Sequence, residues 1–91
     1  MELEKINEAY HLTDETAQGW KTSGQVIKEN SGDLKIDLSV TKLDSYLGNY
    51  TYNIFVNNHI NVSFGVVREY EQEFRTYCDN LIANILKNIN I

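Results

Sequence analysis

Between Leu34 and Thr41 the chain alternates strictly: Leu34, Ile36, Leu38 and Val40 on one side, Lys35, Asp37, Ser39 and Thr41 on the other. A period of two with polar partners is the signature of a strand with one buried and one wet face. Upstream, "GWKTSGQVIKE" reads as a second strand, and "NSGD" (Asn30 to Asp33) supplies turn residues between the two. A further pair, "NYTYNIFV" and "INVSFGVV", flanks Asn57, Asn58 and His59. Opposed residues in a hairpin share a face, and a three-residue loop satisfies this by pairing Val56 with Ile60, Ile54 with Val62, Tyr52 with Phe64 and Tyr50 with Val66. His59 is then expected at the tip, in the left-handed region.

From Arg68 the period changes. Tyr70, Phe74, Tyr77, Cys78, Leu81, Ile82, Ile85 and Ile89 recur at steps of three and four, the stripe of a helix lying on a sheet. Glu69, Glu73, Thr76, Asn80 and Lys87 fall on the outer face, with acids early and a lysine late, as the helix dipole favours. Glu71 turns toward the apolar stripe and is expected at its rim. At the other end, Leu3, Ile6 and Tyr10 suggest a short amphipathic helix, and "TDET" could begin another turn that Gly19 ends. The expected architecture is α+β: a four-stranded antiparallel meander, a C-terminal helix packed on one face and a short N-terminal helix. Its parts are 1–19 helical, 20–67 sheet and 68–90 helix, within a single domain 1–91.

Composition fits one modest core. A chain of 91 residues buries about 60–65% of its unfolded surface, and 42% apolar residues suffice to fold it. The absence of proline favours short, turn-like connections. A lone cysteine, Cys78, excludes an internal disulfide and suggests a reducing compartment. No apolar run is long enough for a membrane span, and "MELEKINEAY" is acidic where a secretory signal is basic and then apolar. The expectation is a soluble cytoplasmic protein, in the host cytoplasm if phage-encoded. Abundant Asn, Ile, Lys and Tyr, with AT-rich codons, suggest a low-GC bacterium or its phage. Most of the net charge of −5 sits in residues 1–19, where Glu2, Glu4, Glu8, Asp14 and Glu15 face only Lys5.

Chemistry is sparse. His11 and His59 lie on different elements, and Cys78 lies on the buried stripe, whereas a cysteine nucleophile needs exposure and a base. No HxxxH, CxxC or calcium-loop spacing occurs, so neither metal nor cofactor is expected. The glycines form no phosphate loop, and eight basic residues among thirteen acids make no track for nucleic acid. These observations point to a non-enzymatic protein-binding module.

Three surfaces qualify. One is the acidic N-terminal segment, where carboxylates beside Tyr10 and Trp20 can engage a basic groove. The second is the far sheet face, where Phe55 and Val67 are apolar among Thr51, Asn53, Asn61 and Ser63. The third is "INVSFGVV", an edge strand without a guarding Lys or Pro.

In size, in its acid-aromatic stretches "MELEKINEAY" and "REYEQEF", and in its sheet-plus-helix layout, the chain resembles the small acidic anti-CRISPR proteins of phages. The resemblance implies an inhibitor whose carboxylates stand where DNA phosphates would, in the basic cleft of a nucleic-acid-handling enzyme such as a CRISPR effector. The residues expected to contact such a partner are Glu2, Glu4, Glu8, Tyr10, Asp14, Glu15, Glu69 and Glu73. The alternative is an assembly component that self-associates, as a homodimer, through the exposed face or the last strand.

Overall fold

The computed structural model describes residues 1–6 and 9–89, which form six strands followed by a helix. The strands are β1 (Glu2–Ile6), β2 (Ala9–Glu15), β3 (Trp20–Lys28), β4 (Leu34–Lys42), β5 (Ser45–Ile54) and β6 (Ile60–Val66). A short 3-10 turn, Arg68–Tyr70, leads into α1 (Glu71–Asn88). The sheet is antiparallel throughout, in the order β1-β2-β3-β4-β5-β6.

The α+β class and the meander order match the sequence pattern, but the four-stranded sheet with an N-terminal helix does not. Residues 2–6 and 9–15 are strands, and Glu8 lies outside the described residues. The reason is the free edge of β3. A helix of two turns is marginal in isolation, whereas pairing satisfies β3's backbone and places Leu12, fully buried, opposite Gly24. The turn expected at "TDET" is a hairpin connection closed by Thr16 N–H to Trp20 C=O at 2.9 Å, with Gly19 at φ +87.

The β3–β4 hairpin turns at "NSGD" as the sequence implied, with Glu29 N–H donating to Asp33 C=O at 2.8 Å. The last hairpin differs in register. Ile54 pairs with Ile60, Tyr52 with Val62 and Tyr50 with Phe64, so the three-residue loop is replaced by five residues from Phe55 to His59. Asn58, not His59, takes the positive φ. Val56 N–H donates to Asp33 Oδ1 at 3.0 Å, tying this loop to the β3–β4 turn. Phe55 therefore lies in the loop, one residue beyond the end of β5. The shift is by two residues, so every face is preserved.

One row crosses the buried face from Leu3 through Leu12, Gly24, Leu38 and Tyr50 to Phe64, and a second from Tyr10 through Val26, Ile36 and Tyr52 to Val62. Phe74, Cys78, Leu81, Ile82 and Ile85 of α1 pack onto these rows as the stripe requires. Glu71 is exposed and paired with Arg75 at 3.5 Å, rather than at the apolar rim. No helix among the described residues is long and apolar enough to cross a membrane.

Phe74 sits at the centre, fully buried, with its ring 6.3 Å from those of Tyr50 and Phe64. Phe74→Ala is expected to cost about 3–5 kcal/mol, a large share of the ~5–15 kcal/mol typical of a whole domain. Urea denaturation followed by circular dichroism measures it, and a loss below about 1 kcal/mol would contradict the central placement of this ring.

Candidate protein-binding face

With every flanking segment in the sheet, one face has no cover. Its residues also run in rows. Glu4, His11, Gln25, Asp37, Thr51 and Ser63 stand side by side across all six strands, and Glu2, Thr13, Ser23, Ser39, Asn49 and Gly65 form the neighbouring row. Small hydroxyl and amide side chains predominate, so the face is low and can be approached closely. Two shallow grooves cross it. One, of about 590 Å³, is lined by Met1, Glu2, Thr13, Glu15, Lys21 and Ser23 among others, and reaches Asp14 and Thr22. The other, of about 430 Å³, is lined by His11, Gln25, Asp37, Ser39 and Asn49 among others. Thr51 Oγ1 donates to Asp37 Oδ1 at 3.2 Å, and Asn53 Oδ1 is buried without a partner.

Three glutamates lie toward one margin, while Lys21, Lys35 and Asp37 stand on the central strands β3 and β4. Glu2, Glu4 and Glu15 are exposed and belong to this face, at or beside the β1 edge. Lys21 lies opposite Glu15, and Lys35 is held by Glu29 at 3.0 Å. The hydrogen bond to Glu29, then its charge, raises the Lys35 pKa.

The remaining candidates are elsewhere. Tyr10 is half-buried against the core on the opposite face. Glu69 and Glu73 are exposed at the start of the helical segment, on the covered side; Glu73 lines a shallow depression with Gln18, Trp20, Gln72 and Thr76. Of the eight residues expected at a contact, Glu2, Glu4 and Glu15 share the open face, Tyr10, Asp14, Glu69 and Glu73 lie elsewhere, and Glu8 lies outside the described residues. Arg68, Arg75 and Lys5 also interrupt the acids along the chain.

Asp14 serves the interior instead. Its Oδ1 lies 3.1 Å from the Met1 amino group, and its Oδ2 accepts a 2.6 Å hydrogen bond from Tyr77 Oη of α1. Tyr77 Oη also meets Thr22 Oγ1 at 2.5 Å. A matching contact ties β5, on the same covered face, to the helix, where Tyr50 Oη donates to Asp79 Oδ1 at 2.6 Å. Each phenol is neutral and donates to a carboxylate, so the helix is pinned to the sheet at two points. Burial, then the hydrogen bond to the adjacent carboxylate, pushes both tyrosines well above the ordinary tyrosine range.

No sequence signal marked Tyr50 or Tyr77 as hydrogen-bonded pins, because both also fit the apolar pattern. Cys78, fully buried between them on α1, is pushed by burial up to about 12, which keeps its thiol protonated and inert. Among the described residues, no three His, Cys, Asp or Glu side chains gather as metal ligands would.

Comparison with known proteins finds no family whose model matches this chain, no similar curated protein and no similar solved structure.

The two phenols set an alkaline limit. Their folded pKa values lie above the unfolded value of about 10, so their contribution is complete below that pH and is lost as pH rises toward the folded values. The urea midpoint is expected to fall above about pH 10, and to fall less steeply in a Tyr50→Phe/Tyr77→Phe variant. Equal slopes in the two proteins would contradict the assignment.

Proposed function

We propose that this chain is a non-enzymatic protein-binding module whose uncovered sheet face docks on a basic protein surface. The inhibitor type exemplified by the acidic anti-CRISPR proteins is its most concrete form, with a nucleic-acid-handling enzyme as target. The observation that carries the reading is the open face itself, with its rows of small polar side chains bordered by Glu2, Glu4 and Glu15. A sheet exposed on one side is ordinary in antiparallel folds. Here three of that face's exposed carboxylates, Glu2, Glu4 and Glu15, lie on the two strands at one margin, an arrangement that steers a positively charged partner during encounter.

This proposal narrows the acidic contact. Glu2, Glu4 and Glu15 can reach one partner surface together, whereas Glu69 and Glu73 lie on the helix side and Asp14 is engaged internally. Contact by the open face therefore differs from broad phosphate mimicry. The polar rows supply area and hydrogen bonds, and three carboxylates supply the steering charge.

Affinity capture from a low-GC bacterial lysate, at low and high salt, tests the reading. The chain is expected to retain a basic nucleic-acid-handling enzyme at low salt and to release it at high salt, because rim charges are screened. The triple variant Glu2→Gln, Glu4→Gln, Glu15→Gln is expected to associate about tenfold more slowly with the captured enzyme, within the range ascribed to electrostatic steering. Retention indifferent to salt, or an unchanged association rate in the triple variant, would contradict the proposal.

A further inference from the structure

The two edges of the sheet differ in kind. The β1 edge carries Glu2, Glu4 and Lys5, charges that oppose strand addition. The β6 edge, "INVSFGV", carries none. It is also apolar where it should be shielded: Ile60 is 57% exposed, Val62 44% and Phe64 38%, although Val62 and Phe64 end the two rows that elsewhere pack beneath α1 and Ile60 continues the row of Leu34 and Ile54 on the same face.

The backbone of β6 can be assigned in the same way. Val67 N–H donates to Leu47 C=O at 3.0 Å, and Phe55 N–H donates to His59 C=O at 2.8 Å. Both bonds obey the β5–β6 register, so the odd-numbered residues of β6 face β5 with their hydrogen-bonding groups. By alternation, the N–H and C=O groups of Ile60, Val62, Phe64 and Val66 point outward along the free edge.

We propose that β6 pairs antiparallel with β6 of a second copy about a two-fold axis at Ser63, joining two six-stranded sheets into one. Ile60 then opposes Val66 of the second copy, and Val62 opposes Phe64 of the second copy. Both are hydrogen-bonded pairs, so every outward backbone group of the strand is matched. An axis at Val62 would set Val66 against the loop residue Asn58, and one at Phe64 would set Ile60 against Arg68. Pairing at Ser63 keeps both helices on the same side, where the exposed Val62 and Phe64 side chains of the two copies cover each other.

The partner is a second copy because the edge complements itself. It is isologous, with bulk against small and no charge opposed to a like charge along the strand. Beyond its ends, His59, Asn58 and Asn57 of one copy meet Val67, Arg68 and Glu69 of the other. Arg75, whose guanidinium lies 5.3 Å from the Phe64 ring, brings Glu71 with it as counterion. The dimer leaves Glu2, Glu4 and Glu15 at its outer margins, so this inference stands independently of the open-face reading.

Light scattering on the full chain over a range of concentrations is expected to show twice the 10.5 kDa chain mass. Val62→Lys, at an exposed position, is expected to keep the circular dichroism spectrum and lose the doubled mass. The register has its own readout. Cα atoms of a non-hydrogen-bonded antiparallel pair lie about 4.5 Å apart, a separation a disulfide can span. Ser63→Cys is therefore expected to crosslink to its symmetry mate under mild oxidation. Asn61→Cys, opposite Gly65 of the second copy, is expected not to, and buried Cys78 does not compete. A monomer at every concentration, a dimer that survives Val62→Lys, or Ser63→Cys crosslinking no faster than Asn61→Cys would overturn the proposal.

Discussion

One helix covering one face of one sheet is the constraint on which this molecule depends. A chain of this size has a single core, and that core is the layer between α1 and the strands. Five buried residues of α1 meet the rows of β2 to β5, and two tyrosine–carboxylate hydrogen bonds fix the layer against sliding. Tyr77 pins α1 to Asp14 of β2, and Tyr50 of β5 holds Asp79 of α1, so opposite halves of the sheet are tied to the same helix. The Trp20 ring, 5.3 Å from Tyr77 and 6.4 Å from Tyr70, closes the end near the start of the helix.

A lone helix cannot cover six strands on both sides, and the surfaces available for contact follow from that. The far face stays wet and polar, with Glu2, Glu4 and Glu15 toward β1 and Asp37 at its centre. On the near face, cover fades toward β6, where Ile60, Val62 and Phe64 remain part-exposed. One margin is charged, carrying Glu2, Glu4 and Lys5. The other is uncharged and suited to strand addition. Open face and free edge are separate consequences of the same shortage of cover.

Where polarity alternated cleanly, sequence and structure agree: β3, β4 and α1 stand where the pattern placed them, with the turn at "NSGD" between the first two. The N-terminal segment misled because Glu, Leu and Lys favour helices, and because Leu3, Ile6 and Tyr10 fit a helical spacing. Tyr10, Leu12 and Asp14 also fit a period of two, and the vacant edge of β3 decided between them. The start of β5 was hidden by Leu47, an irregularity opposite Val40 and Thr41 that breaks alternation. In the β5–β6 hairpin, matching faces determined the register only to within an even number of residues. A tertiary contact, Val56 to Asp33, accompanies the longer loop. The candidate acids were legible as residues but not as a surface, because their distribution between faces depends on the strands that were read as a helix.

Nuclear Overhauser contacts between α1 and the sheet test this account most directly. The account predicts cross-peaks from the Phe74 ring to the Tyr50 and Phe64 rings, and from the Tyr77 ring to Trp20. It predicts none from any α1 side chain to Ser39, Thr51 or Ser63. Contacts from α1 to those open-face residues, or a Phe74 ring without sheet neighbours, would contradict it.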